Sequence, residues 1–227
     1  IFSFEEYVER LTENPVEVVE LVNSITTNHT FFYREPIQFQ LLKDEVLPTM
    51  LNQLAKQGLR VWSAACSNGA EVYSILFTLI AYFGGEIPDE LDFRILGSDI
   101  DTNMLLKAQK GIYQSDELDK LAPLEVETFF DKEGPNQYCI KDSVRKYAIF
   151  RKINLVYDDF TFKKEIDIIF CRNVAIYFDN QTKHTLYSKF HQVMSVDGFL
   201  FSGQSENLFK WSDKFKFYRN SVYKKVS

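Results

Sequence analysis

Between Leu59 and Gly111 the chain alternates twice between a short apolar run and a helical stretch, and this alternation constrains the fold more than any other feature. LRVWSAA, from Leu59 to Ala65, reads as a buried strand. After the loop CSNG, Ala70 to Phe83 places apolar residues at helical spacing until Gly84-Gly85 and Pro88 end it. DFRILGSDID, Asp92 to Asp101, is a second strand ending in acids, and Thr102 is placed to cap a short helix that stops at Gly111. Strand, helix, strand, helix at these spacings indicates a doubly wound α/β sheet.

The pattern then pauses. Residues 112–147 hold an acidic helical stretch (Glu117 to Phe130), a Gly134-Pro135-Asn136 turn and two strand candidates, QYCIK and SVRKYAI, which suggests an insertion carrying a small antiparallel hairpin. Alternation resumes with AIFRKINL and the very apolar EIDIIFCRNVAIYF. Asp179 then caps a helix with the stripe Leu186, Phe190, Val193 and Met194, expected to end at Gly198. GFLFSG and FYRNSVYKKV are expected to pair antiparallel at the sheet edge. Toward the N-terminus, residues 4–22 predict two short helices broken at Asn14-Pro15, and Phe39 to Gln57 a helix broken near Pro48 and closed by Gly58. Because the chain begins inside a helical pattern, residues 1–22 are read as the remnant of an N-terminal helical domain and 23–227 as the main domain.

Composition excludes several classes. A net charge of -6 disfavours binding to phosphate backbones, so nucleic acid is not expected as a partner. No apolar run approaches the roughly 20 residues of a membrane span, and IFSFEEYVER is too acidic for a signal peptide, so no membrane insertion and a cytoplasmic location are expected. Three cysteines at wide spacing, without a CxxC pair, read as reduced thiols rather than a disulfide framework or a metal site.

In an open α/β sheet, ligands bind at the carboxyl ends of the strands. Glu71, Asp99, Asn154 and Asn173 follow four different strands and can converge there. The first turn, AACSNGAE, has a single glycine, Gly69, and lacks the glycines that let a pyrophosphate approach backbone. A nucleoside without phosphates still fits, and Asp99 suits the ribose hydroxyls; together these features point to S-adenosylmethionine, although a solvated strand end or a cap explains Asp99 equally well. The segment TTNHTFFYREPIQF is a second dense patch. Thr26, Thr27, Asn28, Thr30 and Arg34 place five polar groups within nine residues, more than a helix cap requires.

TTNHTFFYRE, VWSAACSNGAEVYSI, GSDIDTNMLLKAQKGIY, IDIIFCRNVAIYFDNQT and DGFLFSGQSENL, in this order, resemble the motifs of the CheR-type chemotaxis receptor glutamate O-methyltransferases. The resemblance runs from about Asn23 to the C-terminus. It implies a Rossmann-like sheet that binds S-adenosylmethionine, releases S-adenosylhomocysteine and esterifies glutamates on the cytoplasmic helices of methyl-accepting chemotaxis receptors. Carried over by motif, it implies cofactor-binding roles for Asn28, Thr30, Arg34, Glu71, Asp99, Asn154, Leu155, Arg172 and Asn173, and catalytic roles for Arg34 and Tyr177. The family usually shows two adjacent acids after the turn glycine. Here the sequence is Gly69-Ala70-Glu71, and the following Val72-Tyr73-Ser74 aligns Glu71 with the cofactor role.

A glutamate is ionised at neutral pH, so its attack on a sulfonium methyl needs no general base, and His184 and His191 read as surface or packing residues on their helix while His29 lines the pocket. Arg34 is expected to orient a carboxylate through its planar fork, and Lys141, Arg145 and Lys146 are expected to make the inserted hairpin a positively charged receptor contact. A methyltransferase acting on another carboxylate, or a non-catalytic cofactor-binding module, are the alternatives.

Overall fold

The computed structural model describes residues 3–50, 58–206, 208 and 213–226. Its centre is a seven-stranded sheet in the order β6-β2-β1-β7-β8-β10-β9. β1 (Leu59–Ala64) lies between β2 (Phe93–Asp99) and β7 (Ile166–Cys171), parallel to both. β6 (Ala148–Lys152) extends the parallel array beyond β2, and β8 (Met194–Ser202) extends it beyond β7. β9 (Phe215–Arg219) and β10 (Val222–Lys225) form a hairpin whose second strand pairs antiparallel with β8 as expected, but FYRNSVYKKV is two strands rather than one, turned at Asn220 and Ser221, both at positive φ. The order reverses at β1, which opens a crevice over the carboxyl ends of β1 and β7.

Before the sheet come α1 (Phe4–Glu13) and α2 (Pro15–Ile25), broken at the predicted Asn14-Pro15, and α3 (Pro36–Leu41). The break expected near Pro48 takes another form. A wide π turn over Leu42–Val46 precedes the proline, and residues 47–50 are helical again. Pro48 has no N–H and its ring crowds the carbonyl four residues back, a conflict that a widened turn relieves. The rest of that predicted helix, residues 51–57, lies outside the described residues.

The sheet buries side chains on both faces. On one, Val61, Ile95, Ile168 and Phe170 pack against α4 (Ala70–Tyr82), which is buried almost all round. On the other, Trp62 and Ile169 pack against Leu186 and Phe190 of α8 (Asn180–Val193), with Phe160 and Phe162 edge-on to the indole. Trp62 Nε1 donates to Ser98 Oγ at 2.9 Å, so a large aromatic is buried without an unmet polar group. The cysteines are all free and buried. Among the described residues, no helix is long and apolar enough to cross a membrane.

Three expectations need correction. Asp101, not Thr102, caps α5 (Thr102–Lys110): its Oδ1 accepts from the N–H groups of Asn103 and Met104 at 2.9 and 3.1 Å. Gly198 does not end α8, which stops at Val193; it lies inside β8, where a Cβ would meet the Ser195 and Asp167 carbonyl oxygens at 2.9 and 3.0 Å. A close backbone approach, rather than a helix stop, requires that glycine.

The third correction concerns the insertion. Its sheet has three strands, with β5 (Gln137–Ile140) between β3 (Ile112–Gln114) and β4 (Phe130–Lys132). A 3-10 turn (Ser115–Leu118) and α6 (Pro123–Phe129) join β3 to β4. SVRKY is not a strand but carries the helical turn α7 (Asp142–Arg145), ahead of β6 in the main sheet. Nor is the insertion separate from the core. Phe129 stacks on Phe77 of α4 with centroids 4.1 Å apart, and Tyr113 and Phe130 pack around Phe32.

Candidate functional site

The crevice holds a cavity of about 540 Å³, within the usual range for small-ligand sites. Asn28, Thr30, Arg34, Glu71, Asp99, Asn154, Leu155, Arg172, Asn173 and Tyr177 all line it, so the structure brings together ten residues from distant segments. His29 lines it as well, whereas His191 lies on α8, its Nε2 2.9 Å from the Val226 carbonyl oxygen.

The floor is the turn between β1 and α4. Gly69 has φ +88°, and a Cβ there would meet the Cβ of Ala108 at 2.8 Å, so this turn needs glycine for both conformation and space. The turn directs the Ser67 N–H at Asp99 Oδ2, 2.7 Å away, while the Asp101 N–H donates to Oδ1 at 2.9 Å. Two backbone amides therefore hold the Asp99 carboxylate at the strand end. Burial nevertheless raises its pKa above the ordinary aspartate value, with the amides opposing the shift.

Asp101, assigned no role from the sequence, joins the loop after α2 to the end of β2. Its Oδ2 accepts from Thr26 Oγ1 and Asn28 Nδ2, each at 2.7 Å, while Oδ1 caps α5. Burial pushes its pKa up, but the bonds from Thr26, Met104, Asn28 and Asn103 outweigh this and hold it below the usual aspartate value. The Asn28 amide is thus anchored to Asp101, with its Oδ1 3.4 Å from Ser67 Oγ.

The opposite wall is an ion network. Arg172, at the end of β7, places Nη1 3.2 Å from Glu71 Oε2 and Nη2 3.3 Å from Glu35 Oε2. The same Nη2 donates to the Arg34 carbonyl oxygen, and the guanidinium lies 5.4 Å from the Phe39 ring centre. Its side chain is only 1% exposed. Glu71 also accepts from Ser63 Oγ at 2.7 Å, and burial raises its pKa above the ordinary glutamate value despite Arg172 and Ser63. Arg172 therefore joins the loop at residues 26–35, α4 and β7 across the sheet.

Glu206 lies in the DGFLFSGQSENL motif. Its Oε2 accepts from the N–H groups of Asn173 (3.0 Å) and Gly203 (2.6 Å), and its Oε1 from those of Val174 (3.1 Å) and Ile176 (3.2 Å). One buried carboxylate thus holds the turn after β7, in which Asn173 takes φ +60° and Tyr177 ends a 3-10 turn (Ala175–Tyr177), 65% exposed. Asn154 plays a similar local part, its Oδ1 accepting from the N–H groups of Val156 and Tyr157. Serine and glutamate are common on surfaces, so Ser67, Glu35 and Glu206 carried no separate signal in the sequence.

These groups suit a ligand with a diol, positive charge, a carboxylate and an apolar base. Asp99 can accept two hydroxyl protons; Glu71 and Asp99 make the cavity favourable for cations; Arg34 offers a fork for a carboxylate; and Ile100, Leu155 and Val156 form apolar wall.

Residues 28–224 match the family model described as CheR methyltransferase, SAM binding domain. The chain is 33% identical to a chemotaxis protein methyltransferase of Borreliella burgdorferi, over 98% of this chain and 80% of the relative. It is 38% identical to chemotaxis protein methyltransferase 2 of Pseudomonas aeruginosa, over 97% and 78%, and 37% identical to the chemotaxis protein methyltransferase of Escherichia coli, over 89% and 68%. S-adenosylmethionine is the cofactor of the matched domain, and the donor set of the cavity is compatible with it. The chain belongs to the CheR methyltransferase family.

Proposed function

We propose that this protein transfers a methyl group from S-adenosylmethionine to glutamate side chains of chemotaxis receptors, forming methyl esters. The observation that carries this reading is the convergence of Asp99, Glu71, Arg34 and Tyr177 on one cavity in a chain of this family. The relatives' names supply the chemotaxis context.

When bound, the cofactor supplies an electrophilic methyl group on a sulfonium. The chain's residues bind, orient and exclude water. Asp99 would hold the ribose hydroxyls and Glu71 the cationic part of the cofactor. Arg34, whose Nη1 donates to the His29 carbonyl oxygen at 2.6 Å, is braced to present its remaining N–H groups to a carboxylate. Asn28, Arg172 and Asn173 line the cavity and are tied to Asp101, Glu71 and Glu35 respectively. Tyr177, exposed beside the mouth, is placed to border the incoming glutamate. Since that glutamate is already ionised, rate enhancement comes from alignment and loss of water, and no proton acceptor is needed.

The test is incubation with methyl-labelled cofactor and receptor cytoplasmic fragments, followed by release of base-labile methyl. Arg34→Ala is expected to lose at least about a hundredfold in turnover, the scale of a lost orienting contact, while the fold survives. No base-labile label with the original protein would refute the receptor-glutamate reading. Label on another carboxylate would move the acceptor while keeping the chemistry.

A further inference from the structure

Lys141 Nζ, expected to be a free cation of the insertion, donates to the carbonyl oxygens of Glu127 and Thr128, and Arg145 bonds Asp142 and the Lys110 carbonyl oxygen. Lys146 lies over the Tyr147 ring, 4.8 Å from its centre. The insertion's charge is thus largely occupied by contacts within the fold. A second basic region is occupied only in part: Arg60 and Lys164 pair with Asp92, and Arg94 Nη1 donates to the Phe93 carbonyl oxygen at 2.6 Å.

The connections from β1 to β2, from β2 to β6 and from β7 to β8 all contain helices, but residues 153–165, between β6 and β7, contain none. On the face of β1, β2 and β6 turned away from α4, α8 covers Trp62 of β1 and that loop supplies the remaining cover, leaving a groove of about 790 Å³. Leu96, Ile149, Phe160 and Phe162 provide apolar lining, and Ile149 is 41% exposed.

Six basic residues line the groove against two acidic ones, on a protein whose net charge is -6. Arg60 and Lys164 share Asp92, whereas Arg94, Arg151, Lys152 and Lys163 have no ion-pair partner among the described residues. Unpaired cations around an exposed apolar surface, on an otherwise acidic molecule, favour an anionic, partly apolar occupant.

Two observations give that occupant its shape and position. Arg60 and Arg94 are paired in register near the amino ends of their strands, while Ile153 and Tyr157 line both the groove and the cofactor cavity. From Arg94 to Asp99 the strand rises about 17 Å, or about three turns of helix. The groove thus runs the length of the sheet and ends at the mouth where the acceptor glutamate must enter. Its open, elongated form suits a helix laid into a groove better than a small molecule that must be enclosed.

We propose that this groove docks an acidic amphipathic helix of the acceptor protein, adjoining the glutamate delivered to the cavity. Its carboxylates meet Arg94, Arg151 and Lys163, and its apolar stripe covers Ile149, Phe160 and Phe162. This inference rests on the acceptor being a protein carboxylate, as proposed above.

The experiment compares the original protein with Arg94→Glu/Arg151→Glu/Lys163→Glu, using a purified receptor cytoplasmic fragment. The expected result is a rise in KM for receptor of about tenfold or more at low salt, shrinking as salt is raised. Turnover at saturating receptor and S-adenosylhomocysteine affinity stay unchanged. A variant with glutamine at the same three positions should give a smaller rise and serves if the reversed protein does not fold. Equal KM values at low salt, for either variant against the original, overturn the docking proposal while leaving the methyltransferase reading intact. Groove-dependent binding of a single-stranded oligonucleotide or of inorganic triphosphate, with receptor KM unchanged, would give the groove to another anion and equally overturn it. No methyl ester with the original protein would overturn the function itself, and the docking with it.

Discussion

On the β2 side of the cavity, Asp99 and Asp101 are held by backbone amides and short polar side chains, whereas on the β7 side Arg172 sits between Glu35 and Glu71. The difference separates ligand binding from structural connection. An amide-held carboxylate keeps lone pairs for a ligand, so Asp99 can serve the cofactor without holding elements together. A buried guanidinium with two carboxylates and a carbonyl has both terminal nitrogens committed to the protein, and removing it leaves buried charge without compensation. Substitutions on the two sides should therefore fail differently: lost stability on the β7 side, lost affinity on the β2 side.

The largest effect is expected from Arg172→Ala, which strands Glu35 and Glu71. Urea unfolding should show a loss of about 3–5 kcal/mol, the cost of breaking a buried ion pair by removing one partner. Wild-type stability in this variant would show that the network does not hold the β7 wall. Next is Asp99→Ala, expected to weaken S-adenosylhomocysteine binding by roughly 2–4 kcal/mol through two lost charge-assisted hydrogen bonds. Calorimetry that finds unchanged affinity would remove Asp99 from the ribose. Glu206→Gln replaces one acceptor oxygen with an NH₂ group facing N–H donors, and should cost about 1–3 kcal/mol. Restored stability in a Glu206→Asp variant, with turnover still low, would show that placement of the Tyr177 turn matters beyond folding.

The smallest expected effect is in pH dependence. Burial raises the pKa of Asp99 and Glu71 in the folded protein. Their stability contribution is therefore fully present below the ordinary carboxylate range and lost as pH rises through the raised values. Asp101 is lowered, so its contribution is present above the ordinary value and lost as pH falls through the lowered one. The ammonium group and ribose hydroxyls of the ligand donate best to ionised acids, so S-adenosylhomocysteine affinity should begin to fall, on acidification, above the ordinary carboxylate range. Asp99→Asn should flatten part of that fall. A profile identical to the original's would mean that Asp99 does not titrate with binding.

The N-terminal wall and the insertion show how much the sequence could disclose. Both helices around Asn14-Pro15 were readable because proline and capping residues act locally. The SVRKY segment forms a helical turn where its pattern suggests a strand, because apolar spacing over five residues does not distinguish the two. Cations such as Lys141 and Arg145 looked available because their partners are mostly backbone carbonyl oxygens, which sequence does not place.

Local periodicity and punctuation by themselves determined the parallel α/β core, the single-glycine turn at Gly69 and the acid ending β2. These depend on interactions within a strand, a helix or a turn, and on the sidedness of apolar residues. Motif resemblance determined the ten cavity residues. Only the tertiary structure decided their division of labour: Arg172 is braced by Glu35 and Glu71, 137 and 101 residues away in sequence, and Glu206 gathers amides about 30 positions upstream. It also decided that residues 153–165 leave one sheet face open. A buried charge takes its meaning from whatever the fold sets beside it, and pairings over such separations leave no periodic trace in the chain.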